Sequence, residues 1–240
     1  TLEGLSLGSA GLEGRFDDSR YDMKLSGQLT GLAGVFSGNS RGGATARGSI
    51  AGTRLLSSGF SASAQSGQNQ RTVQVGVAAG NVNAVVISPP FPEQSDRVPL
   101  TDGSIRGIVD PLTGVAIVAA PGTQPEDPAN CNRKIPVFDG TQRFDVVLGF
   151  TDRRVVRRPG FTGVVLVCSV RYVPVAGHKP DRASVQFMET NEDMSVWLAH
   201  VEGTRMLVPL RISVRTMMGT SVVEARRWQV GKGEGRTASR

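Results

Sequence analysis

The sequence predicts a mainly β protein: a strongly curved antiparallel sheet, or an open or spiral β-barrel, enclosing one apolar α-helix at about 105–120. Three observations lead there. Thirty glycines and 13 prolines break the chain into many short segments separated by turns. Roughly ten of those segments alternate apolar and polar residues at the period of a strand, without an internal repeat. A single run, Ile105 to Ala120, has the character of a helix.

From Leu2 to Gln65 the segments are short and Gly-rich, with Tyr21, Met23 and Leu25 alternating against Asp22, Lys24 and Ser26. Small residues such as Ala44, Ala46, Ala62 and Ala64 let a sheet curl tightly. Leu29, Leu32, Val35 and Phe36 form an apolar cluster between glycines and are expected to be a packed loop. The clearest hairpin follows: Val73, Val75 and Val77, a turn at Gly80-Asn81, then Val82, Ala84 and Val86. Ser88 to Pro99 is too proline-rich for a central strand and leads to the predicted helix.

That helix is expected to start at Asp110-Pro111, where the carboxylate can accept free backbone N–H groups and proline loses no bond. Leu112, Val115 and the run Ala116 to Ala120 leave little polar face, so it needs to be enclosed. A dozen residues cannot span a bilayer, which takes ~20. Beyond it, Phe144, Val146, Leu148 and Phe150 share one strand face, and Val164 to Tyr172 is a core strand. Ala183, Val185 and Phe187 read as strand, as do Val196 with Leu198, the alternation Met206 to Val214, and Val222 to Trp228. Residues 1–230 are expected to form a single β-barrel-like domain, and 231–240 a disordered basic tail.

Charge is uneven. Residues 1–140 hold 11 Lys+Arg against 12 Asp+Glu, and 141–240 hold 16 against 9, so the net charge of +6 divides into −1 and +7. Arg153, Arg154, Arg157 and Arg158 supply four of those charges where a strand pattern breaks. They are expected to project as a tip that either contacts an anionic surface or keeps a hairpin soluble. Aromatics are not interleaved with the arginines, so a nucleic-acid partner is not expected.

Cys168 sits among the apolar residues of Val164 to Val170, and Cys131 in a Pro- and Asn-rich loop. A disulfide between them explains both and implies an oxidising compartment; two unrelated thiols is the alternative. The chain opens at Thr1 without a methionine, already inside a strand-like pattern, so a segment upstream is expected to be missing from it, and the absence of a signal segment is uninformative about export.

Catalytic and metal signals are missing. His178 and His200 lack metal-ligand spacing, and His200-Val201-Glu202 has no Pro-Cys-x-x-Cys partner. There is no Gly-x-Ser-x-Gly elbow, Cys168 is in a strand core, and Gly231-Lys232-Gly233-Glu234-Gly235 lacks the phosphate-loop spacing. Asp17-Asp18 and Glu192-Asp193 read as turn residues. No catalytic residue, metal ligand or cofactor is therefore assigned.

Several blocks carry a resemblance. Val109-Asp110-Pro111-Leu112-Thr113, Ile135 to Gly140 with Arg143-Phe144-Asp145, Val167-Cys168 through Tyr172 to Pro180, and Val196-Trp197-Leu198 leading to Val208-Pro209-Leu210-Arg211-Ile212 resemble alphaproteobacterial members of the domain-of-unknown-function family 3108. Leu5-Ser6-Leu7-Gly8 is similar to that family's first strand. The Trp-Leu strand followed by Pro-Leu-Arg-Ile also resembles lipoprotein-carrier half-barrels. The resemblance implies an exported periplasmic protein of the Gram-negative envelope without an assigned reaction. Three functions stay open: a non-catalytic binder of an acyl chain, lipid or apolar peptide on the concave side of the sheet; a protein-interaction scaffold of envelope assembly without a ligand cavity; or an enzyme.

Overall fold

The computed structural model describes residues 1–29, 40–92 and 95–231. Residues 1–88 supply a six-stranded antiparallel meander in sequence order: β1 (Gly8–Phe16), β2 (Arg20–Leu29), β3 (Ser40–Ala51), β4 (Arg54–Ser66), β5 (Asn69–Ala78) and β6 (Asn81–Ser88). It curls through 342° into a half-barrel. The curl follows from small residues on long strands: one rung of the ladder reads Gly14, Met23, Ala46, Phe60, Val75, Val85 across all six strands. Alternating large and small side chains along a rung allows a tight taper.

The β5–β6 hairpin is formed as the valine alternation predicts, with its turn one residue earlier than expected. Ala78 pairs Asn81, and Ala79 and Gly80 occupy the turn with φ of 51° and 78°. Two successive positive φ values match the right-handed twist of a hairpin. Asn81 is therefore already in the strand.

The second sheet holds β7 (Ile117–Val118), β8 (Arg133–Phe138), β9 (Arg143–Arg158), β10 (Phe161–Ala176), β11 (Met194–His200), β12 (Met206–Thr216) and β13 (Gly219–Glu224). Its order is β13-β12-β11-β10-β9-β8, with β7 beside β12. The two sheets share a core in which Tyr21, Met23, Phe60 and Val75 of the half-barrel meet Phe138, Met206 and Val208 of the second sheet.

The helix expected at 105–120 does not form. Asp110 caps as predicted, its Oδ1 accepting from the backbone N–H groups of Leu112 (3.0 Å) and Thr113 (2.8 Å). The turn it starts is a short 3-10 segment, Thr113–Val115, after which Ala116 is extended. Two forces work against continuation. Gly114 and the β-branched Val115, Ile117 and Val118 are weak helix formers. More decisively, β13 pairs only Arg211–Thr216 of β12, which leaves the edge at Met206 and Leu207 for Val118 and Ile117 to pair. The expected enclosure holds: Ile108, Leu112, Ala116, Ile117, Val118 and Ala119 are all buried.

The one α-helix among the described residues is α1 (Ala183–Thr190), where the alternation Ala183, Val185, Phe187 predicted a strand. Val185 and Met188 are also at i, i+3 spacing, and in so short a run the two periods are indistinguishable. Leu32, Val35, Phe36 and the tail beyond Gly231 lie outside the described residues.

Candidate functional site

The seven-stranded sheet is apolar on both faces, and the chain crosses one of them between Asp110 and Cys131. Val137 of β8 pairs Phe144 of β9, Ile135 pairs Val146, Leu148 pairs Val170 of β10, and Leu198 of β11 pairs Pro209 of β12. Pro111, Gly114, Val115 and Ile117 run over these residues and leave an apolar groove of about 160 Å³ between segment and sheet. Gly114 allows the approach, since a Cβ there would lie 3.2 Å from Val137 Cγ2. Phe144, Val146, Val170 and Pro209 are only half-buried, so the groove opens to solvent.

The Cys131–Cys168 disulfide is present and holds the far end of the crossing. Cys131 ends a 3-10 turn, Pro128–Cys131, whose start is capped by Asp127 Oδ1 accepting from Ala129 N at 2.8 Å. Both cysteines are fully buried with Ile117, Leu148, Leu166, Leu198 and Leu207. The groove wall is thus fixed at two points: by Asp110 at its entry and by the disulfide at its exit.

Asp110 is also the centre of a buried polar cluster that sequence reading missed. Its Oδ2 accepts from Ser57 Oγ (2.5 Å) and Thr113 Oγ1 (2.6 Å), and the Tyr21 hydroxyl pairs with Thr113 Oγ1 at 2.8 Å. Burial, followed by the Asp110 charge, holds the Tyr21 phenol far above its ordinary pKa. Asp110 is 0% exposed and every member bonds to another, so the cluster ties the crossing segment to the half-barrel. Three well-separated residues in a sequence carry no signal of such a contact; only Asp110 was legible, as a cap.

A larger cleft, about 730 Å³, lies towards one end of the half-barrel. Its lining takes in Ser9, Gln28, Arg41, Gln65, Gln70 and Gly11, Ser26, Gly43, Ser63 on the face opposite to Met23 and Phe60, and between these rungs Ala10, Gly27, Gly42 and Ala64 on the same face as Met23 and Phe60. Serine and glutamine side chains there would lose hydration to an acyl chain without compensation. The apolar face of the half-barrel, for its part, is filled where Tyr21, Met23 and Phe60 pack. The groove that is apolar throughout and opens to solvent lies instead on the second sheet.

The four arginines expected to form a projecting tip do not leave the sheet. They continue β9, displaced by a bulge between Phe150 and Asp152, and pair with β10 as far as Phe161. Three of the four heads find partners. Arg153 Nε donates to the Glu126 carbonyl (2.8 Å); Arg154 pairs with Asp152 (3.0 Å) and lies over the Trp197 ring; Arg158 pairs with Glu224 (2.6 Å). Arg157 is exposed.

Of the other candidates, His200 Nε2 meets the Thr204 carbonyl at 2.6 Å, and His178 is buried after β10. Asp17 accepts from Ser19 N and Arg20 N, which lowers its pKa, and Glu192 pairs with exposed Arg171. Among the described residues no three His, Cys, Asp or Glu side chains are placed to hold a metal ion.

Comparison with known proteins gives one family: the model described as "Protein of unknown function (DUF3108)" matches residues 1–226. No curated protein and no solved structure matches the chain.

Proposed function

The chain belongs to the DUF3108 family, and from that premise we propose that it is a non-catalytic protein of the periplasm that holds an acyl chain or apolar peptide side chain in the groove of its second sheet. The observation that carries this reading is the composition of the groove: all its lining residues, from Pro111 to Pro209, are glycine, proline or apolar. Such a surface left half open favours an apolar occupant over water. At ~30 Å³ per water the groove equals about five waters, room for part of an acyl chain with the remainder outside. The disulfide supports an oxidising compartment, and a non-catalytic role is supported by the commitment of Asp110, Ser57, Thr113 and Tyr21 to one another.

Binding of a fluorescent fatty acid tests the proposal. Val170 is half-buried in the groove wall, and Val170→Phe adds an aromatic ring to the space without adding charge. The variant is expected to bind the probe about tenfold more weakly, equivalent to losing contact with about two methylenes at ~0.8 kcal/mol each. Equal affinity in a variant of unchanged melting temperature would move the site elsewhere.

A scaffold role in envelope assembly is the rival, favoured by the β12–β13 turn. Met217 and Met218 stand there 61% and 80% exposed, where polar turn residues are usual. A chain that binds no probe while a Met217→Ser/Met218→Ser variant loses a partner would decide for it.

A further inference from the structure

The structure brings a second set of basic residues to the β9–β10 hairpin that no local pattern in the sequence joins to it. After β13 the chain returns across the hairpin turn: Trp228 N donates to the Pro159 carbonyl at 3.1 Å, and the Trp228 ring meets Phe161 edge-on at 5.3 Å. The approach is so close that a Cβ on Gly160 would lie 1.8 Å from the Trp228 carbonyl oxygen. Arg226 and Arg227 are thereby anchored at the same end of the sheet as Arg157, on the Phe161 side of the hairpin while Arg157 is on its other side, and all three are exposed.

These three differ from their neighbours in having no partner. Asp152 is engaged by Arg154, and Glu224 by Arg158 and Arg211. The side chains of Arg157, Arg226 and Arg227 make no ion pair or hydrogen bond with the described residues. Val155, two residues before Arg157 on the same face of β9, is 73% exposed, and Val230, two residues after Trp228, is 45% exposed. Uncompensated guanidinium groups with exposed valines close by in the chain suit a surface that is anionic outside and apolar just beneath. A nucleic acid would ask for free aromatic faces, and here Trp228 and Phe161 are packed against each other.

We propose that this end of the second sheet, built from Arg157, Arg226, Arg227, Val155 and Val230, is a docking surface for an anionic lipid bilayer. It does not depend on the groove: a protein whose groove is empty would dock equally, so the two readings fail separately.

Co-sedimentation with vesicles of phosphatidylglycerol in phosphatidylcholine, against pure phosphatidylcholine, tests it. Wild-type protein is expected to bind only the anionic vesicles and to be released as salt rises. Arg157→Ser/Arg226→Ser/Arg227→Ser should bind roughly a hundredfold more weakly, about fivefold per arginine. The comparison variant Arg20→Ser/Arg47→Ser/Arg54→Ser removes the same charge from exposed positions of the half-barrel and should bind as wild type. Equal loss in both variants would reduce the effect to net charge and overturn the proposal, as would wild-type binding by the first. Release of the wild type by an acidic polysaccharide, at a concentration that leaves a bound basic control peptide on the vesicles, would also overturn it.

Discussion

Cys131→Ala/Cys168→Ala protein is expected to melt roughly 8–16 °C below wild type. The bridge closes a separation of 37 residues, which in the chain-entropy account is worth about 4 kcal/mol. For a chain of this size each kcal/mol moves the melting temperature by about 2–4 °C. The loss is local in origin: without the bond, the turn Pro128–Cys131 is held to the face of β9 and β10 by packing alone. Calorimetry of the variant, and of wild type with reductant, checks it. A variant that melts with wild type would mean that the crossing segment is held elsewhere.

Ile117→Asp is expected to unfold the protein. Ile117 is 4% exposed, paired with Leu207 on β12, and surrounded by Cys131, Leu148 and Leu166. A carboxylate placed among these apolar side chains costs several kcal/mol, against the ~5–15 kcal/mol that such a chain has in total. Ile117→Val, which removes one methylene, should cost only ~1 kcal/mol. Urea titration followed by circular dichroism distinguishes them. A folded Ile117→Asp protein with a near-native midpoint would show that this side of the groove is wet.

The second expectation concerns a residue that is legible in the sequence for a partly wrong reason. Ile117 was read as one face of a helix, and it is buried because β7 fills a vacant stretch of edge on β12. Burial was visible in the apolar run; the partner was not, because an unpaired edge is a property of the whole sheet. The same holds for Arg153 to Arg158. Their charge suggested a break in the strand, and only the tertiary positions of Asp152, Glu126, Trp197 and Glu224 let them stay within it.

The disulfide and the β5–β6 hairpin were the most legible features, one from the mismatch between Cys131 and its polar loop, the other from strict alternation of valines. Half of the groove could be read as well: Phe144, Val146 and Leu148 share a face by spacing alone. Its other wall could not, since Pro111 to Val115 carry a helix-start signal that Asp110 does satisfy, for a single 3-10 turn.

Native mass spectrometry of the protein isolated from its own cells without organic extraction tests the central claim most directly. The account predicts a population carrying the added mass of an acyl-containing molecule, reduced in Val170→Phe. A single unliganded species in wild type, from preparations in which a known lipid carrier keeps its lipid, would contradict it.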